Sequence, residues 1–174
     1  SLVGEERPEY RYVVVGGGAT GVELAGELTV YLRRVRQRHG LGSRQFTVDL
    51  VEAADRVLPG LPEDFAKQVQ QRLEELGVRL HLSLPVKGET LDSLKLPSGE
   101  IKSHTVAWTA GVTNNPLFRA QPEVFRLMKN GRAAVNEFLE AAPDIFVIGD
   151  SADTPFSGMA QTAIHDANSV TENL

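Results

Sequence analysis

Three glycines near the start of the chain have the spacing that a phosphate-binding turn needs. They follow the apolar run Tyr12 to Val15 as G-x-G-x-x-G, and a helix-periodic apolar pattern comes directly after them. Gly16 permits a sharp exit from the strand, Gly18 lets a pyrophosphate approach bare backbone, and Gly21 lets the helix pack closely on the sheet. The first helical turn directs N–H groups and the positive end of the helix dipole at two phosphates. The stretch predicts a dinucleotide site, with a tight structural turn as the alternative. Its residues are Gly16, Gly17, Gly18, Ala19, Thr20 and Gly21.

An acidic residue at the end of the second predicted strand, Phe46 to Val51, supplies a second feature of the site. In a dinucleotide fold this acid accepts hydrogen bonds from the adenosine ribose diol and repels a 2′-phosphate, so Glu52 favours NADH over NADPH. It lies further from the glycines than the usual interval of about 20 residues, which we attribute to a long first helix and its loop. An exposed glutamate at a strand end is the alternative. Arg56 can stack on adenine or tolerate a phosphate, which leaves the cofactor preference partly open.

The segments around these residues predict half of a nucleotide-binding fold. The first helix ends before Gly40, and the arginines in its last turns are interpreted as a solvated face that complements the helix dipole. The second helix begins near Pro62 and ends at Gly77. With the strand that follows, the order is β-α-β-α-β, the minimum for a mononucleotide-binding half. The helical residues expected to face the sheet are Leu24, Leu28, Tyr31 or Leu32 and Val35, then Phe65, Val69, Leu73 and Leu76.

The pattern changes after this unit. Two shorter and more polar runs, Thr90 to Leu96 and Glu100 to Val106, are separated by a Pro-Ser-Gly turn. They predict an antiparallel hairpin or meander in place of another crossover helix. Thr105 to Trp108 then returns to the main sheet and leads into Ala110 and Gly111, where a ligand can approach the backbone closely.

The last part of the chain predicts one more strand and one more helix. Ile145 to Ile148 is a continuous apolar run of the kind that is buried on both faces, and it ends in Gly149 and Asp150. Ala160 to Val170 predicts a helix with an apolar side. The residues of that side are Ala163, Ile164 and Ala167. The predicted fold class is therefore α/β, a Rossmann-like three-layer parallel sheet with helices and an antiparallel hairpin or meander.

Composition narrows the class of protein. The chain has 174 residues, a net charge of -5 and a sequence pI of about 5.4, which argue against a surface that binds nucleic acid. It has no cysteine, so disulfides, thiolate metal sites and a dithiol redox centre are excluded within these residues. Four scattered histidines lack ligand spacing, so we interpret them as structural or surface residues and expect no metal site. Because the cofactors of a dinucleotide site carry the chemistry, we expect no catalytic side chain either. No apolar run reaches the roughly twenty residues that span a bilayer, and the cytoplasm is the expected compartment.

Five segments together resemble those of one family. In order they are VVVGGGATGVELAGEL, the acid-terminated second strand with VLPGLPEDF, TVAWTAGV, APDIFVIGDSA and MAQTAIHDA. This combination resembles the pyridine nucleotide-disulfide oxidoreductases, FAD-dependent flavoproteins with two dinucleotide-binding domains. Within the family the chain most resembles the type II NADH dehydrogenases. The resemblance implies a parent enzyme that passes electrons from NADH through FAD to quinone or another acceptor, peripherally bound at the cytoplasmic face of a membrane.

The resemblance also implies roles on the NADH side. Glu23 matches the family's glutamate near the nicotinamide and the flavin, although a carboxylate in the first turn of a helix can simply complement the dipole. Gly111, with Ala110 before it, matches the glycine of the strand-end loop that lies against the nucleotide.

Further roles are implied on the FAD side. Asp150, after Gly149, matches the aspartate that hydrogen-bonds the ribitol chain of the flavin, with a turn or helix cap as the alternative. Ala160 and Gln161 match the start of a helix whose N–H groups face the flavin ring and stabilise negative charge on it.

We predict three parts along the chain. Residues 1–11 form a leader, 12–140 an NAD(H)-binding domain, and 141–174 the first stretch of a returning FAD-binding domain. The chain begins at Ser1 and not at methionine, so we expect a piece of a longer protein. The family's other glycine fingerprint, which holds FAD, is not among these residues. The expected partners are therefore NADH and the missing FAD-binding half, with a homodimer as an open candidate, and the fragment alone is expected to be inactive.

Other functions stay open beside this one. A non-catalytic NAD(H)-sensing module would use the same glycine turn, and an FAD fingerprint upstream in the parent gene would discriminate against it. Another member of the flavoprotein disulfide reductase group is compatible, since its redox cysteines would lie in the absent part. A methyltransferase also has a Gly-rich first turn and an acid after the second strand, but the hairpin and the Gly-Asp segment fit it poorly.

Overall fold

The computed structural model describes residues 7–42, 45–155 and 158–173, which form two compact units, Ser1–Gly111 and Val112–Leu174. The predicted domain boundary at 140/141 falls inside the second unit, and that division of the chain stays a prediction. Parts of three other predictions lie outside the described residues. These are residues 1–6 of the leader, residues 43–44 of the loop before the second strand, and residues 156–157 of the last loop. Residue 174, at the end of the predicted 141–174 segment, also lies outside the described residues.

A parallel sheet forms the centre of the first unit. The elements of this unit, in order, are β1 (Arg11–Val15), α1 (Ala19–Arg38), β2 (Thr47–Val51), α2 (Glu63–Leu76), β3 (Val78–His81), β4 (Gly88–Glu89), β5 (Ser93–Leu96), β6 (Gly99–Lys102) and β7 (Thr105–Trp108). The main sheet has the order β3-β2-β1-β7, and all of its neighbouring strands are parallel. This is the strand order of a nucleotide-binding half, and it contains the predicted β-α-β-α-β unit and the predicted return of Thr105–Trp108 to the sheet.

Two different layers cover the faces of this sheet. On one face, Val14 and Leu50 pack against α1 and α2 through Leu32 and Leu73. The other face is covered by the antiparallel sheet β4-β5-β6, in which Leu94 and Ile101 pack against the sheet residues. Those sheet residues are Val13, Val15 and Val51. The predicted α/β class, with helices and an antiparallel meander on a parallel sheet, is confirmed.

The buried face of α1 differs from the predicted one. Leu24 is 37% exposed, so the prediction that it faces the sheet is wrong. Of the two alternatives Tyr31 and Leu32, Tyr31 is 62% exposed and Leu32 is buried, so the alternative with Leu32 is confirmed. The helix buries mainly small residues instead, because small side chains let a helix lie close to a sheet. They are Gly21, Ala25 and Thr29, together with Leu32. In α2 the same error concerns Phe65, which is exposed, whereas its neighbour Ala66 is buried.

One of the arginines in α1 has a structural partner on α2. The Arg33 guanidinium donates a hydrogen bond to the carbonyl of Leu76, at the end of α2. Gly77 follows as the C-cap with a left-handed φ of 87°, as the sequence predicts. Since the last carbonyls of a helix lack partners within the helix, Arg33 stabilises this end of α2. Arg33 is exposed, as the predicted solvated face requires, and it has this structural role in addition.

The second unit is built from short elements. They are α3 (Pro116–Ala120), β8 (Glu140–Ala142), β9 (Ile145–Phe146), a 3-10 turn at Gly149–Ser151 and α4 (Ala160–Asn173). The strand predicted to be buried on both faces is wrong, because Ile145 and Ile148 are both exposed and β9 pairs only with β8 in the described part of the chain. Val147 instead packs into a small core with Ala133 and Ala152. In α4 the predicted apolar side is wrong for Ile164, which is exposed. None of the helices in the described ranges is long and apolar enough to cross a bilayer.

Candidate functional site

The glycine turn joins the end of β1 to the loop after β7. Gly16 has a left-handed φ of 110°, and its N–H donates to the Val51 carbonyl at 2.8 Å. A Cβ atom on Gly16 would lie 2.7 Å from the backbone nitrogen of Ala110. A side chain is therefore excluded here by backbone conformation and by space. The structure brings the predicted residues Gly16 and Ala110 together, and Gly111 follows in an exposed position.

Gly21 lets the helix lie against the turn itself. A Cβ atom at this position would lie 1.8 Å from the Gly16 carbonyl oxygen and 2.6 Å from Thr109 Oγ1. The Thr109 hydroxyl donates to the Val15 carbonyl at 2.8 Å and also lies 3.1 Å from the Gly16 oxygen. Thr109 thus fastens the turn to the end of β7. The sequence analysis did not single out Thr109. Its position directly after a strand and before Ala-Gly could have indicated a side chain that contacts the turn.

The N-terminal end of α1 is open. Its N-cap residue is Gly18, with φ -71° and ψ -178°, and in the described part of the chain no side chain caps this end. A Cβ atom on Gly18 would have no heavy atom of a described residue within 4 Å. Gly18, Ala19 and Thr20 are all exposed. Because the first N–H groups of a helix lack partners within the helix, this end presents donors and positive potential to solvent.

The first turn of α1 contains no acidic residue. The helix begins at Ala19, so Glu23 lies beyond the first turn, and the premise that it sits within that turn is wrong. Glu23 is exposed. No carboxylate of the first turn therefore opposes an anion at this end of α1.

The carboxylate of Glu52 lies against the glycine turn. Its Oε2 accepts a hydrogen bond from the Gly17 N–H, and its Oε1 accepts one from the Ala54 N–H at 2.8 Å. A Cβ atom on Gly17 would lie 3.0 Å from Glu52 Cγ, so the acid fills the space beside this glycine. Each carboxylate oxygen has two lone pairs, so each retains capacity for a ligand hydroxyl.

The loop after β2 touches the same turn a second time. Leu58 donates its N–H to the Gly17 carbonyl at 2.7 Å and has a left-handed φ of 50°. No feature of the sequence points to this conformation of a leucine. Arg56 donates to the Pro59 carbonyl at 3.1 Å, and its buried Nε has no hydrogen-bond partner among the described residues. Its predicted contact with adenine or phosphate stays a prediction.

A buried ion pair supports the strands below the turn. Asp49 is fully buried on β2 and accepts hydrogen bonds from Arg11 on β1, and it lies 2.6 Å from His81 Nε2 on β3. Burial alone would raise the pKa of Asp49, but the hydrogen bonds and charges of Arg11 and His81 outweigh burial and lower this pKa below its ordinary value. The sequence analysis missed this cluster, although a charged residue inside an apolar strand is a signal for a buried partner.

In the second unit, the Gly-Asp segment is held by α4. Gly149 has a left-handed φ of 61°, and its N–H donates to the buried Asp166 carboxylate at 2.9 Å. A Cβ atom on Gly149 would lie 3.1 Å from the Cβ of Ala163, one helical turn before Asp166. Asp150 is exposed in the 3-10 turn, and Ala160 and Gln161 are exposed at the start of α4. The sequence analysis did not single out Asp166.

In the first unit, the site combines an open helix end with an acceptor beside it. Donors for an anion lie at the N-terminal end of α1, and the Glu52 carboxylate is held against the turn that leads into this helix. Such an arrangement can bind a phosphate and a diol of the same ligand. No group of three or more histidine or acidic residues suited to a metal ion occurs among the described residues.

Comparison with known proteins gives one family and one fold. The family model described as pyridine nucleotide-disulphide oxidoreductase matches residues 3–167. A type II NADH:quinone oxidoreductase of Staphylococcus saprophyticus is 29% identical over 177 residues, which cover 93% of this chain and 43% of the relative. The chain thus spans less than half the length of this curated relative.

Two solved structures have a similar fold. A water-forming NADH oxidase from Lactobacillus brevis, bound to NADH, has a TM-score of 0.76 at 22% identity. An engineered water-forming NADPH oxidase, a mutant of the same enzyme bound to NADPH, has a TM-score of 0.75 at 21% identity. Each comparison covers 95% of this chain and 36% of the other. At these identities the likeness concerns the fold.

Proposed function

Because this chain belongs to the pyridine nucleotide-disulphide oxidoreductase family, we propose that it is the NADH-binding part of an FAD-dependent NADH dehydrogenase. The observation that carries the proposal is the open N-terminal end of α1 with the Glu52 carboxylate held beside the turn that precedes it. The Staphylococcus relative is named for the same reaction with quinone, which supports quinone as the electron acceptor of the parent.

The residues of the turn fit a dinucleotide. The space beside Gly18, which a Cβ atom would enter, is open, so a diphosphate can approach the backbone there. The N–H groups of Gly18, Ala19 and Thr20 would hold it, favoured by the helix dipole. Glu52 would accept hydrogen bonds from the adenosine ribose diol and would oppose a 2′-phosphate, so NADH is the proposed ligand.

The chain contributes position and electrostatics to the reaction. When both cofactors are bound, NADH supplies the hydride and FAD accepts it. Ala110 and Gly111 would line the path of the dinucleotide beyond the turn, since Ala110 already approaches Gly16. Glu23 would lie on the nicotinamide side. These residues orient a ligand, and holding the reacting atoms in place is the main contribution of a protein to such a step.

Residues of the second unit would serve the flavin in the intact parent. We assign residues 141–174 to this role, with Gly149 and Asp150 at the ribitol chain and with Ala160 and Gln161 at the ring. Asp150 is exposed, so its carboxylate could accept hydrogen bonds from the ribitol hydroxyls. The start of α4 would present backbone N–H groups to the ring. The FAD-binding half of the parent would complete this site.

Calorimetric titration of the 174-residue chain with NADH and with NADPH tests the proposal. We expect weak binding that prefers NADH and that falls further in Glu52→Arg. The only tryptophan of the chain, Trp108, lies on β7 opposite Val15, beside the turn, so energy transfer from Trp108 to NADH reports the same event independently. A preference for NADPH would overturn the role of Glu52, and the absence of any binding would overturn the proposal.

The parent protein tests the enzyme. The full-length protein is expected to show a flavin spectrum that NADH bleaches and that a quinone restores. A colourless full-length protein would contradict the flavoenzyme. A coloured protein that NADH reduces but quinone does not reoxidise would keep the dehydrogenase and reject quinone as the acceptor.

A further inference from the structure

We propose that Glu52 is also a positioning residue for the phosphate-binding turn, so that the ribose acceptor and the diphosphate donors form one coupled unit. The inference rests on the proposed function for its ligand, but the contacts that carry it lie within the chain itself. A role confined to the ribose would need the carboxylate to contact only the ligand. Here it contacts the turn.

The peptide groups on the two sides of Gly17 are held by one loop. The Gly17 N–H donates to Glu52, and the Gly17 carbonyl accepts from the Leu58 N–H at 2.7 Å. Both partners belong to the segment directly after β2. Gly17 therefore cannot rotate about its backbone without breaking a contact to that segment, and the next residue, Gly18, is the N-cap of α1. The orientation of the anion-binding N–H groups depends on this anchoring.

Space beside Gly17 supports the same coupling. A Cβ atom on Gly17 would lie 3.0 Å from both Cγ and Oε2 of Glu52, tighter than ordinary contact. Gly17 occupies a variable position of the G-x-G-x-x-G pattern, where the ligand does not demand glycine. The need for a glycine at this place comes from the acid and not from the cofactor.

The Glu52 carboxylate is fixed before any ligand arrives. Its second oxygen accepts the Ala54 N–H at 2.8 Å, and the backbone on both sides of its side chain is paired to His81 and Leu84. Replacing Glu52 to admit a 2′-phosphate would therefore also release the Gly17 N–H. We expect such replacements to lower the affinity for every ligand that uses the turn, including ligands without an adenosine ribose.

Reduced nicotinamide mononucleotide separates the positioning role of Glu52 from its role as ribose acceptor, because this ligand carries a phosphate but no adenosine. The variants are Glu52→Gln, which keeps one acceptor oxygen, and Glu52→Ala, which keeps none. Glu27→Gln, an exposed glutamate further along α1, is the matched control. We expect Glu52→Ala to weaken binding of reduced nicotinamide mononucleotide by about tenfold and binding of NADH by more, because NADH also loses its ribose acceptor, with Glu52→Gln in between for each ligand. A loss for NADH with unchanged mononucleotide binding would overturn the inference.

A second measurement needs no ligand. Amide hydrogen exchange at Gly17 should be faster in Glu52→Ala than in the unmodified 174-residue chain. The amides of Val14 and Leu50 in the sheet should keep their protection. Unchanged exchange at Gly17 would contradict the inference even if ligand affinity falls. If the unmodified chain binds no NADH, the proposed function fails, and the exchange experiment still decides the positioning role.

A double substitution tests the spatial part. Gly17→Ala should weaken NADH binding when Glu52 is present, because the added methyl group displaces the Glu52 carboxylate. In the Glu52→Ala background Cγ and the carboxylate are gone, and only the Cβ of residue 52 remains, 3.1 Å from the added methyl group. The same substitution should therefore have a smaller effect there than in the unmodified chain. Additive losses in the double variant would show that Gly17 and Glu52 act separately and would overturn the coupling.

Discussion

Arg11 on β1 holds Asp49 on β2 through two hydrogen bonds, at 2.7 Å from Nε and 2.9 Å from Nη2. Asp49 is fully buried, and His81 on β3 approaches its other side. One carboxylate therefore links three neighbouring strands of the sheet that carries the glycine turn. Because a buried carboxylate is costly without partners, this contact fixes the sheet only while the pair is complete.

Removing one partner of this pair is expected to cost more than removing both. Arg11→Met should lower the free energy of unfolding by about 3 kcal/mol, since it leaves a buried charge with one remaining partner. Arg11→Met combined with Asp49→Leu should lose less than Arg11→Met alone, because the buried charge is removed together with its partner. Urea unfolding measures the free energy of unfolding of the single and the double variant. The control is Lys67→Met, which removes an exposed ion pair with Glu63 and should change the stability far less than Arg11→Met does. Equal losses in Arg11→Met and Lys67→Met would contradict the prediction.

The same pair predicts how stability depends on pH. The pKa of Asp49 is lower in the folded chain than its ordinary value of 3.8. Its stabilising contribution is therefore complete above that ordinary value and is lost as the pH falls through the lower folded pKa. Asp49→Asn should flatten the decline of stability between about pH 5 and pH 2. Urea unfolding across that range checks it, and an equally steep decline in Asp49→Asn would show that other carboxylates govern acid unfolding.

Replacing two glycines of the turn by alanine should affect different properties, stability for Gly21 and NADH affinity for Gly18. Gly21→Ala would place a methyl group 1.8 Å from the Gly16 oxygen, so the helix must move and stability should fall by several kcal/mol, of the order of 3. Gly18→Ala enters open space, so the chain should keep its melting temperature within a few degrees but lose NADH affinity. Calorimetry and thermal melting separate the two outcomes. Normal NADH binding by Gly18→Ala would mean that the diphosphate does not approach this residue.

The sequence predicts the sheet well because its strands and turns have local signals. The strand before the glycines, the left-handed Gly77 and the meander after the third strand all follow from apolar periodicity and turn residues, and the structure has them. Helix faces are predicted less well. Periodicity predicts that Leu24 faces the sheet, together with Tyr31 or Leu32. Close packing on the sheet buries Leu32 and small residues such as Ala25, and it leaves Leu24 exposed.

Contacts between distant segments leave no local signal. Leu58 takes a left-handed conformation because its N–H reaches the Gly17 carbonyl, and nothing in the residues around it shows this. Thr109 and Asp166 are ordinary polar residues in the sequence, and their partners lie far away in it. The candidate site was therefore predicted at the level of its motifs and of Glu52, and the other residues that hold these motifs in place were found only in the structure.

One glycine in α1 offers a stabilising substitution. A Cβ atom on Gly26 would lie 3.8 Å from the methyl groups of Leu73 and Leu76, an ordinary contact between α1 and α2. Gly26→Ala should raise the free energy of unfolding by about 0.5–1 kcal/mol, because alanine restricts the unfolded chain and favours the helix. NADH affinity should not change. Gly26→Leu, which overfills the same contact, should instead destabilise by about 1–3 kcal/mol. Destabilisation by Gly26→Ala would mean that α1 and α2 are packed more tightly than these distances indicate.

In the second unit, the carboxylates of Asp166 and Asp150 should differ sharply in their effect on the Gly-Asp turn. Asp166→Leu leaves the Gly149 N–H without its acceptor and should destabilise the turn locally by about 1–3 kcal/mol, whereas Asp166→Asn keeps an acceptor oxygen and should cost less than about 1 kcal/mol. Asp150→Asn is the control, because Asp150 is exposed and its side chain does not hold the turn. Amide hydrogen exchange at Gly149 measures these differences, with Val147 as the internal reference. Similar exchange in Asp166→Leu and Asp150→Asn would show that packing under Ala163, and not the hydrogen bond, holds the turn.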